Sequence, residues 1–178
     1  TVSQLSYVIL AAAILTPISI VGAAMHIAAH AVSKITLFFA AGSIYTAAHL
    51  TEVSQLDGIG RRMPWTMVAF AIGALSMIGV PPTAGFLGKW FMLTGAMDTG
   101  QWLPVVIIIA STLLNAGYFL PIVVQAFFRA PGKDVKGHAR GEAPFPIVLA
   151  LTATAIGTVG LFLYPAIPMA LSKMLAGI

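Results

Sequence analysis

The chain has 178 residues, 59 % of them hydrophobic and only 8 % charged, with a mean hydropathy of +0.97. A soluble chain carries roughly 25 % charged residues, and a water-facing surface cannot be built from so few. A soluble enzyme, a nucleic-acid binder and a disordered tail are therefore excluded, and a polytopic membrane protein remains. The chain has no cysteine, so it holds no disulfide, thiolate zinc site or iron–sulfur cluster. Its net charge of +4 reads as loop charge that sets membrane orientation.

The chain opens at Thr1 without an initiator Met, a basic n-region or a small-residue cleavage site. It reads like the middle of a longer protein, or like a processed or split subunit. A span needs about 20 apolar residues to cross a ~30 Å hydrocarbon core. Residues 1–15 form a short first run, closed by Thr16 and Pro17. Residues 17–46 form a long second run, and a polar stretch with Glu52, Asp57, Arg61 and Arg62 follows. Residues 63–80 are the third run, with Pro64 near its start, where a missing N–H is harmless. Pro81-Pro82 ends it, and residues 83–97 are a shorter fourth run broken by Asp98-Thr99-Gly100. Residues 102–128 are the fifth run, 129–142 a polar loop and 145–164 the sixth run. The last residues, 165–178, read as a short amphipathic or frayed end.

The predicted fold is an all-α polytopic membrane protein of about six transmembrane segments, because no run alternates as a barrel strand would. Six alternating crossings put the 129–142 loop, with Arg129, Lys133, Lys136 and Arg140, opposite Arg61, Arg62 and Lys173. Four against three is a weak bias that favours a cytoplasmic 129–142 loop. Tyr45, Trp65, Trp102 and Tyr164 then fall together at the outer side, as an aromatic belt or as scattered core aromatics.

Four ionisable groups lie inside the apolar runs: His26, His30 and Lys34 in the second, Lys89 in the fourth. A central Lys costs ~2.5–3.5 kcal/mol on insertion scales and commonly faces a bundle interior or a water path. The first three, at i, i+4 and i+8, share a helical face that drifts ~40° and rises ~6 Å per step. They make a ladder with room for bridging waters, built from groups able to carry protons. Residues 79–89 hold Pro81, Pro82, Gly79, Gly85 and Gly88, so they cannot form one uninterrupted helix. Broken helices of this kind recur at transporter ion sites. All five acids, Glu52, Asp57, Asp98, Asp134 and Glu142, lie in loops or at segment ends, so neither Lys has an acid within a span to pair with.

Two enzyme readings compete with transport. His26 and His30 have the spacing of a helical zinc site, but Ile27 stands where a metalloprotease needs Glu. A haem held between helices needs an axial His on a second span, and His49 and His138 are both in loops. No metal site, cofactor or catalytic site of the chain's own is expected.

Several motifs together resemble a known family. They are Thr1-Val2-Ser3-Gln4-Leu5-Ser6-Tyr7, then His26, His30 and Lys34 with Leu37-Phe38-Phe39 and Gly42. Gly58, Gly60-Arg61-Arg62-Met63-Pro64, the run from Gly79 to Lys89, and Asn115 with Tyr118 complete the set. The pattern is similar to the second half of the proton-conducting, antiporter-like subunits shared by respiratory complex I, an NADH–quinone oxidoreductase, and Mrp-type cation/proton antiporters. The likeness is close over residues 1–130 and loose over the last span.

The resemblance implies a five-helix antiporter-type repeat over residues 1–128, with a discontinuous helix at Lys89. A polar loop at 129–144 and a final span and tail at 145–178 follow. It implies a proton path through His26, His30, Lys34 and Lys89, with Pro81, Pro82, Gly85 and Gly88 supporting the break. The family's first repeat, with its Glu–Lys pair, is missing. Partner membrane subunits, one carrying that repeat or a carboxylate, are therefore expected, along with the lipid bilayer, protons and an exchanged Na⁺. The expected setting is a prokaryotic inner membrane. The rival reading is a structural or assembly subunit with no ion path of its own.

Overall fold

The computed structural model describes residues 2–130 and 141–178. Lys133, Asp134, Lys136, His138 and Arg140, which figure in the predicted loop, lie outside the described residues, as does Thr1. The described residues hold seven α-helices and no strand: α1 Val2–Ile14, α2 Pro17–Ala48, α3 Pro64–Ile78, α4 Ala84–Asp98, α5 Trp102–Phe128, α6 Phe145–Leu163 and α7 Ala166–Ala176. The protein is an all-α polytopic membrane protein. Three helices, α2, α5 and α6, are each long and apolar enough to cross a membrane alone.

Local sequence fixes the helix ends. Thr16 and Ser19 form a reciprocal capping box at the start of α2, with Ser19 N–H donating to Thr16 Oγ1 at 3.1 Å and Thr16 N–H to Ser19 Oγ at 3.2 Å. Pro17 occupies the first turn, where it costs no hydrogen bond. Gly79 ends α3 at φ +90°, a conformation that favours glycine, and its N–H donates to the Leu75 carbonyl at 2.8 Å.

The break after α3 organises the whole bundle. Along α2, the neighbours on α3 and α4 change in a steady order. Ala48 and Ile44 pack with Met63 and Met67 in one core cluster, and Ala40 with Ala69 in another. Further down, Gly73 faces Leu37 and Ser33, Gly88 faces His26, and Gly95 faces Thr16 and Ser19. So α3 and α4 lie end to end, antiparallel to α2, as two halves of one discontinuous span. The lengths agree: α2 has 32 residues and the two halves 15 each, which at 1.5 Å per residue is about 48 Å against about 45 Å. The close approach rests on Gly and Ala, as helix packing within lipid commonly does.

This arrangement corrects the expected sidedness. The runs at 63–80 and 83–97 make one crossing together, not two. The loop after α2 and the end of α5 therefore share a face. Arg129 sits 3.4 Å from Asp57, Gly58 N–H donates to the Gln125 carbonyl at 3.1 Å, and Gln125 Nε2 donates to the Val53 carbonyl at 3.0 Å. At the other face, Gln101 Nε2 donates to the Ile14 carbonyl at 3.1 Å, and Lys173 of α7 lies near Ile18 and Thr94. Arg61, Arg62 and Arg129 thus lie on one face and Lys173 on the other. The exposed aromatics divide as well, with Tyr45 and Trp65 at the first face and Trp102 and Tyr164 at the second. Belts at both interfaces suit amphipathic rings better than the single belt expected. The last residues, expected as an amphipathic or frayed end, form α7, which packs back on α2.

Candidate functional site

The site is built around the break. The last carbonyls of a helix have no partner within it and carry partial negative charge. At the end of α3 those carbonyls meet Lys89, which α4 carries back beside them. Its ammonium donates to the Ile78 carbonyl at 2.7 Å, the Met77 carbonyl at 3.2 Å and Thr112 Oγ1 at 3.3 Å. It also lies over the ring of Tyr7, 4.7 Å from the centroid. Lys89 is 4 % exposed. These partners are dipoles and a π face, with no carboxylate among them.

Glycine makes this fit possible. A Cβ at Gly85 would overlap the Ser76 carbonyl, and one at Gly88 would sit 2.8 Å from His26 Cβ. A Cβ at Gly79 would meet the Lys89 side chain at 2.8 Å. Ser76 Oγ accepts from Gly85 N–H at 3.2 Å and lies 2.6 Å from Ser33 Oγ, so both half-helices are tied to α2. The Pro81–Pro82 peptide is cis.

The ladder on α2 is partly as expected. His26 and His30 are buried, at 2 % and 9 % exposure, and their rings are near parallel with centroids 6.4 Å apart. His26 Nδ1 and His30 Nε2 have no hydrogen-bond partner, whereas His26 Nε2 lies 3.2 Å from Gln4 Oε1. Lys34 differs from expectation. It is half-buried, with its ammonium 5.6 Å from the centroid of the exposed Phe38 ring. The reason is the ~40° drift per step, which over two steps swings Lys34 from the interior to the bundle's edge.

Gln4, which the sequence singles out only as part of a motif and not as a site residue, connects His26 to the end of α3. It is 1 % exposed on α1, and its Nε2 donates to the Met77 carbonyl at 3.3 Å, the same oxygen that accepts from Lys89. His26, Gln4, the Met77 carbonyl and Lys89 thus form one hydrogen-bonded line through an apolar bundle, with the His30 ring stacked 6.4 Å beyond His26. Tyr7 stands beside it, edge to face with His26 at 5.4 Å between centroids. Asn115 and Tyr118 of α5 join from the far side, with Asn115 Nδ2 donating to Tyr7 OH at 3.4 Å and Tyr118 OH to Asn115 Oδ1 at 2.7 Å. The signal for Gln4 and Asn115 is their polarity within apolar runs, but neither titrates, so a search for ionisable groups passes over them. A cavity of ≈ 150 Å³ adjoins Lys89, between α4 and α5, with Thr112 on a largely apolar wall.

The chain is similar to known proteins in sequence and in fold. Residues 1–115 match the family described as NADH:quinone oxidoreductase/Mrp antiporter, TM, and the chain belongs to that family. It is 39 % identical over 146 residues to NADH-quinone oxidoreductase subunit N of Desulforudis audaxviator, covering 82 % of this chain and 28 % of that one. It is 28 % identical over 158 residues to a Na⁺/H⁺ antiporter subunit of Alkalihalophilus pseudofirmus, covering 87 % and 32 %. Among solved structures, the fold is shared with a chain of the Mrp complex from Dietzia sp. DQ12-45-1b, at 23 % identity and a TM-score of 0.85 over 98 % of this chain and 40 % of that one. It is also shared with a chain of respiratory complex I from Thermus thermophilus, at 21 % identity and a TM-score of 0.76 over 96 % and 36 %. The chain spans about a third of the length of these relatives.

Proposed function

We propose that this chain is the second antiporter-type repeat, with a final span, of a proton-translocating or cation/proton antiporting subunit in a multi-subunit membrane complex. The observation that carries the reading is Lys89. A buried ammonium held by helix-end carbonyls, with no carboxylate bound to it, is costly in lipid, and it ends a line of two buried histidines whose outer nitrogens are unpartnered. Groups of this kind change charge state as protons pass.

In this reading protons move between Lys34, His30, His26 and Lys89, with waters spanning the 6.4 Å between the histidine rings. Pro81 and Pro82 break the span, and Gly85 and Gly88 let α4 pack closely against α3 and α2, so that the end of α3 can receive the Lys89 charge. The other membrane subunits and the first repeat supply the remaining half of the path and the acidic partner. With Arg61, Arg62 and Arg129 on one face and Lys173 on the other, the positive-inside rule favours the first face as cytoplasmic, in a prokaryotic inner membrane. Family membership and the multi-subunit setting of the similar structures support this assignment.

The test is transport by the assembled complex, with the full-length subunit, in sealed vesicles. Lys34→Ala and Lys89→Ala should each abolish proton movement while subunit composition stays intact. Wild-type transport in both variants would overturn the reading.

A further inference from the structure

We infer that Gln4 and Tyr7 form a proton-tight junction between His26 and Lys89, so that Gln4 is the positioning residue at which the path is interrupted in this conformation. The inference rests on the proposed function and deepens it.

The chemistry follows from who can donate. The Met77 carbonyl only accepts, so the Gln4 amide must turn its NH₂ toward it, across 3.3 Å. Gln4 Oε1 is then the atom 3.2 Å from His26 Nε2, and it too only accepts. His26 must therefore carry its hydrogen on Nε2, leaving the unpartnered Nδ1 as its one basic site. A proton arriving from the His30 side is bound at Nδ1 and makes an imidazolium. To continue toward Lys89 it would have to release the Nε2 proton to an amide oxygen. A carboxamide passes a proton on only by losing another from its nitrogen, as an imidic acid. From His26 to Lys89 the hydrogen bonds are unbroken, yet at Gln4 they conduct charge influence and not protons.

The neighbouring tyrosines, among the described residues, point their hydroxyls elsewhere. Tyr7 presents its ring face to the Lys89 ammonium and lies edge to face with His26, so it meets both groups with its ring and not its hydroxyl. Its hydroxyl is turned to Asn115 on α5. The Tyr118 hydroxyl, which also lies beside Gln4, gives its proton to Asn115 Oδ1 at 2.7 Å. Passage requires the Gln4 amide to leave the Met77 carbonyl. That carbonyl also binds Lys89, so the position of Gln4 and the charge on Lys89 are coupled through one oxygen.

The experiment uses the assembled complex with the full-length subunit in proteoliposomes, and measures driven proton uptake and passive leak separately. Gln4→Glu keeps the shape but supplies a group that can take and return a proton. It should raise passive leak by about tenfold or more and lower net uptake. Gln4→Leu removes both hydrogen bonds without adding a relay; it should lower driven uptake and leave leak at the wild-type level. Wild-type leak in Gln4→Glu overturns the junction, and this near-isosteric variant carries the test if Gln4→Leu does not assemble. Lys89→Ala run in parallel separates the two readings: if it abolishes uptake while Gln4→Glu behaves as wild type, the junction fails and the path stands; if it transports normally, the path itself fails.

Discussion

The Lys89 ammonium donates to the Ile78 carbonyl at 2.7 Å, so a side chain of the second half-helix closes the open end of the first. The pairing serves both stability and charge. Lys89→Met removes the donor and leaves the Ile78 carbonyl without its partner in a buried place, a loss of about 1–3 kcal/mol. The thermal midpoint of the purified complex should fall, and transport should drop to background. Lys89→Arg separates the two effects, because a guanidinium keeps the charge but does not release its proton. It should restore more stability than transport. A scaffold role predicts the opposite for Lys89→Met, with full activity.

Glycine at the break makes a second prediction. Gly88→Ala places a methyl 2.8 Å from His26 Cβ and 3.0 Å from the His26 backbone nitrogen. Overpacking of this kind costs about 1–3 kcal/mol, and here it also pushes α4 from the ladder. Gly88→Ala should lower both the thermal midpoint and transport. Gly117→Ala on α5 is the control, since nothing lies within 4 Å of its added carbon. It should be neutral or slightly stabilising, by about 0.4–1 kcal/mol.

Much of this is legible in the sequence because lipid makes charge conspicuous. The segments, the break at Pro81-Pro82, the buried His26, His30 and Lys89, and the small residues of the crossing all stand out against an apolar background. What escapes has physical causes. Treating residues 63–80 and 83–97 as separate crossings follows from counting apolar runs, which records where a helix stops and not which way the next one points. That count inverts the side of Trp102 and Tyr164 and splits the basic residues four against three. Gln4 escapes because its importance lies in two hydrogen bonds to α2 and α3, set by tertiary contact alone.

Glu142 shows the same limit and gives a third prediction. By sequence it is one more loop charge. In the structure its carboxylate accepts from Trp65 N–H at 2.8 Å and from Thr66 Oγ1 at 2.6 Å, and so caps the N-terminus of α3 from 76 residues away. The free N–H groups and positive end of α3 favour an anion there. Glu142→Ala should cost about 0.5–2 kcal/mol, read as a lower thermal midpoint, with transport retained near neutral pH. Arg129→Ala on the same face should have little effect, because its contact with Asp57 is a 3.4 Å surface pair.

Lys34 offers the sharpest separation of function from stability. It is half-buried and its ammonium rests over the exposed Phe38 ring, so removing it leaves no orphaned carbonyl. Lys34→Met should change the thermal midpoint by an amount equivalent to about 0.5–1 kcal/mol, the worth of its exposed contact with the Phe38 ring, below the effect of Lys89→Met. If Lys34 feeds the histidines, transport should nevertheless fall as far as it does in Lys89→Met. Phe38→Leu removes the cation–π contact, worth about 0.5–1 kcal/mol, and should weaken transport without abolishing it. Equal stability losses in the two lysine variants would show that Lys34 is buried in the assembled complex. Normal transport in Lys34→Met would confine the path to His30, His26 and Lys89.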